Sequence, residues 1–149
     1  MRSITLLIVH CSVVRPYQTS SAKQIDEWHK SRETHGIHWK GNGYHYVIRR
    51  DGTIEYGRPL TEPGAHCVGH NRYSIGICYE GGLDNNGVET DTRTPEQKAT
   101  LRALLEKLHA QFPKALIVGH RDLAKDGRGC PCYDAVSEYW DLQPSTVEK

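Results

Sequence analysis

The stretch GHRDLAKDGRGCPCYD (residues 119–134) brings a histidine, two cysteines and several charged side chains close together. Such a stretch can be half of a metal site, a redox cysteine pair, or a charged loop that carries cysteine. His120 follows the apolar run LIVG, and a second histidine, His10, follows another, LLIV. A polar residue at the end of a buried strand is where an α/β sheet exposes functional groups. Neutral imidazole and thiolate are favoured zinc ligands, and catalytic zinc sites use three protein ligands and leave a fourth position open. His10, His120 and Cys130 would make such a His₂Cys set. Ligands this far apart in sequence have no fixed offset, however, and CPC is not the C-x₂-C of a structural zinc knuckle. Each histidine also has a plain reading as a hydrogen-bonded packing residue, so residue types alone leave the two readings level. No H-E-x-x-H occurs, which excludes that helix-borne metalloprotease arrangement. Cys11 beside His10 suggests a cysteine-peptidase pair, but neighbours on a strand point to opposite faces.

The elements that must position these residues are legible as patterns. Residues 4–9 (ITLLIV) form a continuous apolar run, as in a central strand. Ser21 and Gln24 have capping-box spacing, which predicts a helix over about 22–33 with Ile25 and Trp28 toward the core. In GYHYVIRRDGTIEYGRP (43–59), Tyr44, Tyr46 and Ile48 alternate with His45 and Val47, and Arg50-Asp51-Gly52 signals a hairpin. SIGICYEGG (74–82) reads as a further strand ended by Gly81-Gly82, followed by a polar loop. Thr94 then caps a helix, with Pro95 first in it and Gln97 completing a capping box. Leu101, Leu104, Leu105, Leu108 and Phe112 share one face of that helix. ALIVG (115–119) is a short buried strand, and a last helix is expected from Asp134 to Trp140. No repeat or linker interrupts this order. The expected fold class is α/β: a single domain over 1–149 with a central mixed β-sheet flanked by helices.

Composition narrows the classes of function. The chain has 149 residues, 37% hydrophobic and 25% charged, which argues against disorder. Its 19 basic and 18 acidic side chains leave a net charge of +1 with no basic run. Binding to nucleic acid or to an anionic membrane is therefore not expected. The N-terminal apolar run is short for a signal peptide and no small-residue cleavage site follows. No segment nears the roughly 20 apolar residues of a membrane span. Synthesis in the cytoplasm is expected. Five cysteines, at 11, 67, 78, 130 and 132, speak against a disulfide framework in that setting. Cys11, Cys67 and Cys78 read as small buried hydrophobes. No apolar seam is evident, so a monomer is expected.

VHCS, GYHYVIRRDGTIEYGRP, GAH, SIGICYEGG, TPEQ at the head of a helix, GHRD and CPCYD follow one another from about residue 5 to residue 140. This ordered series resembles the zinc-dependent N-acetylmuramoyl-L-alanine amidases of the type 2 class, which include amidase-type phage lysozymes and peptidoglycan recognition proteins. The resemblance implies the fold of that group and hydrolysis of the amide bond between N-acetylmuramic acid and L-alanine. Bacterial peptidoglycan is the implied partner and one zinc ion the implied cofactor. Carried over residue by residue, it implies zinc ligands at His10, His120 and Cys130 and a catalytic Tyr44 beside the metal. His66, in GAH, falls where the family lines its substrate groove. Without a visible export signal, such an enzyme reaches the wall after lysis or by separate export.

One departure stands out. Family amidases often carry a lysine two residues before the ligand cysteine, and this chain has Arg128 there. Arginine is a permanent cation with fork geometry, able to support an oxyanion but poorly suited to act as a base. Arg128 is taken as the catalytic cation, with Lys125, or neither, as the alternatives. Cys132 reads as a packing cysteine, and as the substitute ligand if Cys130 points away. His29, His35, His38, His70 and His109 are assigned to surface or packing, while Arg49 and Arg72 are candidates for stem-peptide carboxylates. Two other functions fit the resemblance. One is a non-catalytic peptidoglycan-binding receptor on the same fold, in which the cysteine ligand is commonly replaced. The other is a polymerase-binding regulator, for which no feature is encoded.

Overall fold

The computed structural model describes residues 2–34, 37–38, 41–124 and 129–145. Its centre is β1 (Leu6–Cys11), buried at every position as a strand with neighbours on both sides and cover on both faces must be. β6 (Ser74–Tyr79) is equally buried and lies parallel to β1 on one side. β7 (Leu116–Gly119) lies parallel to it on the other. β4 (Tyr46–Ile48) runs parallel to β6 and forms an antiparallel hairpin with β5 (Ile54–Tyr56). The sheet order is β5-β4-β6-β1-β7, and the short β2 (Glu33–Thr34) and β3 (Ile37–His38) pair separately. The expected mixed sheet is thus present. The hairpin turns where expected, with Gly52 at φ 88° and the Arg49 and Thr53 backbones bonded across it.

Both N-terminal capping boxes form. Ser21 accepts from Gln24 N at the start of α1 (Ala22–Lys30), and Thr94 accepts from Gln97 N at the start of α2 (Pro95–Gln111). Leu101, Leu104, Leu105 and Leu108 of α2 pack on Leu7, Val9, Cys11, Ile75, Ile77, Tyr79 and Ile117, making one large core on one face of the sheet. Among the described residues the opposite face has small clusters. Leu6 and Ile8 meet Cys67 there, and Val47 and Cys78 meet Ile25 of α1. Among the described residues no helix is long and apolar enough to cross a membrane.

Four local expectations change. α1 ends at Lys30 instead of about 33, and Glu33–Thr34 belongs to β2. α1 turns Ile25 and His29 inward, an i,i+4 pair on one face, so Trp28 lies on its flank and is 42% exposed. Tyr44 precedes β4 instead of continuing its alternation, because its N–H bonds Asn42 Oδ1 in a turn. It therefore packs with Val47, not with Tyr46 and Ile48. The last helix, expected from Asp134 to Trp140, is the shorter α3 (Ala135–Glu138) with Asp134 as its N-cap, and Trp140–Leu142 forms a separate 3₁₀ turn.

Candidate active site

Strand register brings the two strand-ending histidines together. Val9 of β1 is opposite Gly119 of β7, so the next residue of each chain segment, His10 and His120, emerges at the same edge of the sheet. Their ring centroids are 4.6 Å apart. One donor atom each from His10, His120 and Cys130 lies within 4.8 Å of the others, the group among the described residues whose donors could hold a metal ion. Two imidazoles and a thiol suit zinc, which bonds nitrogen at about 2.0–2.1 Å and sulfur at about 2.3 Å, and the absence of a carboxylate disfavours calcium or magnesium. Burial, reinforced by His66, His120 and His29, holds the His10 imidazole well below its ordinary pKa. It is therefore neutral, the form that binds metal.

Cys130 is held from several sides. Cys11 N–H donates to its Sγ at 3.2 Å, and Arg121 N–H donates to its carbonyl at 2.8 Å. The Tyr79 hydroxyl donates to Pro131 O at 2.6 Å. Gly119 leaves the space that Pro131 fills, since a Cβ there would lie 2.6 Å from Pro131 Cδ. Below the loop, the Arg93 guanidinium sits 3.4 Å over the Tyr133 ring and pairs with Asp91 and Glu138. Cys132 points elsewhere: its Sγ lies 3.9 Å from Cys11 Sγ and 3.4 Å from Gly82 O, and it is not among the three clustered donors.

Tyr44 stands beside this group, its ring 5.0 Å from that of His10. The turn before it is strapped in place. Asn42 N–H donates to Asp26 Oδ1, Asn42 Nδ2 to Ala22 O, and Arg58 Nε to Asn42 O. Burial keeps the Tyr44 phenol well above its ordinary pKa, so it stays a neutral donor. Two depressions flank the donors. One of about 410 Å³ is lined by Cys11, Trp28, His29 and Tyr44, the other of about 270 Å³ by His66, Asn71 and His120, and exposed Arg32 lines both.

Residues 1–133 match the family model described as N-acetylmuramoyl-L-alanine amidase. The chain belongs to that family. Among curated relatives of this amidase chain, the endolysin of Escherichia phage T7 is 37% identical over 139 residues, spanning 93% of this chain and 87% of its own. Among solved structures, the N-acetylmuramoyl-L-alanine amidase LysC from Clostridium intestinale URNW superimposes with a TM-score of 0.75 at 32% identity, covering 95% of this chain and 86% of that one. Drosophila PGRP-LB shares the fold, with a TM-score of 0.73 at 20% identity over 100% of this chain and 88% of that one.

Against that family background, the residues singled out in the sequence fall as follows. His10, His120, Cys130 and Tyr44 converge. His66 lines one depression, but its Nδ1 also lies 2.8 Å from His10 Nε2, a link no local pattern announces. Arg128, Lys125 and His35 lie outside the described residues. His29 is buried and accepts from Gly43 N, and His70 meets the Tyr73 hydroxyl. Arg49 pairs with Glu55 across the hairpin and with Glu80 just after β6. No sequence pattern marks Ser74, Asn71 or Arg32 beside these donors, and Trp28, expected in the core, lines a depression instead. The glycines at 64 and 76 mark only the close approach of the His66 ring.

Proposed function

We propose that this chain is a zinc-dependent amidase that cleaves the bond between the lactyl group of N-acetylmuramic acid and L-alanine in peptidoglycan. The observation that carries this reading is the His10–His120–Cys130 donor group at the carboxyl edge of parallel strands, in a chain belonging to the amidase family. Similarity to a phage endolysin supports action on the bacterial wall, reached after lysis or by separate export. A zinc ion held there supplies Lewis acidity, polarising a carbonyl and lowering the pKa of a bound water toward about 7.

The chain's own residues supply the rest. His10, His120 and Cys130 would hold the ion, with the loop contacts of Cys130 fixing the sulfur before any ion arrives. Tyr44, protonated across the working pH range, donates a hydrogen bond to the oxygen that gains negative charge as the amide is attacked. It does not act as a base, because burial opposes its ionisation. Arg128 is proposed as a second, permanently charged donor to that oxygen. The two depressions flanking the donors would seat the sugar and the stem peptide on either side of the scissile bond. Cys130 within the donor group favours catalysis over the binding-receptor reading.

The test is release of amines from purified peptidoglycan, with identification of the new N-terminal residue, before and after chelation. Free N-terminal L-alanine that disappears with chelator and returns with zinc is the expected result. Wall binding without release would reject catalysis.

A further inference from the structure

His66 makes contacts that a substrate-lining residue does not need. Its Nδ1 lies 2.8 Å from His10 Nε2, and its Nε2 lies 3.2 Å from Ser74 Oγ. The loop that carries it is pinned by Asn71, whose Oδ1 accepts both His66 N and Cys67 N. The ring lies over Gly76, where a Cβ would come within 2.7 Å of its Cγ and Cδ2. A Cβ at Gly64 would come within 2.5 Å of Cδ2. Both positions must lack a side chain for the ring to sit in this orientation. Ser74 opens β6 next to β1, opposite Leu6, so the sheet itself sets the far end of the chain of contacts.

We propose that His66 is a positioning residue, and that the relay His10–His66–Ser74 supports, with a hydrogen bond at each link, the tautomer in which His10 offers Nδ1 to a metal. The proposal rests on the zinc reading of the site. Of the two ring nitrogens that face each other, one must carry the proton and the other accept it. When His10 Nε2 carries it, His66 Nδ1 accepts, His66 Nε2–H donates to Ser74 Oγ, and His10 Nδ1 is bare. In the reverse order the Ser74 hydroxyl donates to His66, His66 Nδ1–H donates to His10, and the proton on His10 Nδ1 blocks ligation. Metal binding through His10 Nδ1 therefore requires the first order. Ser74 allows it because a hydroxyl accepts as readily as it donates. Ligand histidines commonly donate their other N–H to a carboxylate or carbonyl. Here a neutral imidazole takes that place and passes the bond on to a serine.

The experiment is competition for zinc between the purified protein and a chromogenic chelator, with circular dichroism and metal-free melting on each variant. His66→Ala is expected to weaken zinc binding by roughly 10–100-fold, the usual cost of losing such a partner. His66→Gln, whose Oε1 can accept from His10 Nε2, is expected to recover most of that loss. Ser74→Ala is expected to give a smaller loss in the same direction. A folded His66→Ala protein with wild-type zinc affinity would overturn the relay, as would His66→Gln binding no better than His66→Ala. If His66→Ala does not fold, Ser74→Ala decides: unchanged affinity overturns the proposal. Failure of the wild-type protein to bind zinc would instead reject the metal site itself.

Discussion

The α2 side and the α1 side of the sheet are built from the same strands by opposite rules. Along β1, Leu7, Val9 and Cys11 face α2, where they join leucines and isoleucines in one large apolar core. Leu6, Ile8 and His10 face the other way, where apolar contacts among the described residues form small clusters and five histidines gather, His120 joining at the sheet edge. Burial holds His10 well below its ordinary pKa, His66 down to about 3, and His29 and His45 down to about 4. One face supplies folding free energy, and the other carries buried polar groups whose stability depends on their hydrogen bonds. A slip of one residue in β1 would exchange the two.

Substitutions on each face can break or sharpen this contrast. The largest effect is expected from Cys130→Ser. Loss of a ligand should reduce zinc affinity by more than the roughly 10–100-fold typical of an outer partner. Activity should fall with it, while the fold persists. Metal analysis and amine release check this, and retention of both would remove Cys130 from the site. On the other face, Leu105→Ala should cost about 2–5 kcal/mol in denaturant unfolding, the range for emptying a packed leucine site. Its zinc affinity should stay at the wild-type value, and a parallel loss of zinc would show that the faces are not separable. Tyr44→Phe should keep zinc but slow turnover by about 2.7–4 kcal/mol, the cost of losing one oxyanion donor. Unchanged turnover would exclude Tyr44 from the chemistry.

The smallest effect near neutrality is on pH. Folded His29 and His45 titrate near 4, below the ordinary 6.5, so the unfolded chain binds protons first as the solution is acidified. Stability should be flat above about 6.5 and fall as pH drops from there toward 4. Melting temperatures measured from pH 7.5 to 5 check this, and a flat or rising series would contradict it. His45→Gln should make the decline shallower.

Local patterns carried most of the fold into view from the sequence. Both capping boxes, the Asp51-Gly52 turn and the apolar runs of β1, β6 and β7 involve residues a few positions apart, and all lie where the patterns put them. Ligand candidates were legible because His10 and His120 each end an apolar run. That the runs are neighbours in the sheet is a long-range fact. Trp28 shows the limit: its hydrophobicity suggested the core, yet the turn of α1 that faces the sheet uses His29. Tyr44 shows another, since its N–H donates to Asn42 Oδ1 in a turn and the strand begins only after it. The contact of His66 with His10 depends on two glycines and a pinned loop separated along the chain, which no periodicity reveals. Arg128 and Lys125 lie outside the described residues, so the choice between them still rests on side-chain chemistry.

Zinc X-ray absorption on the purified, metal-loaded protein tests the central claim most directly. A His10–His120–Cys130 site predicts one sulfur near 2.3 Å together with nitrogen or oxygen neighbours near 2.0–2.1 Å, and loss of the sulfur shell in Cys130→Ser. A zinc shell with no sulfur, or one unchanged in Cys130→Ser, would contradict it.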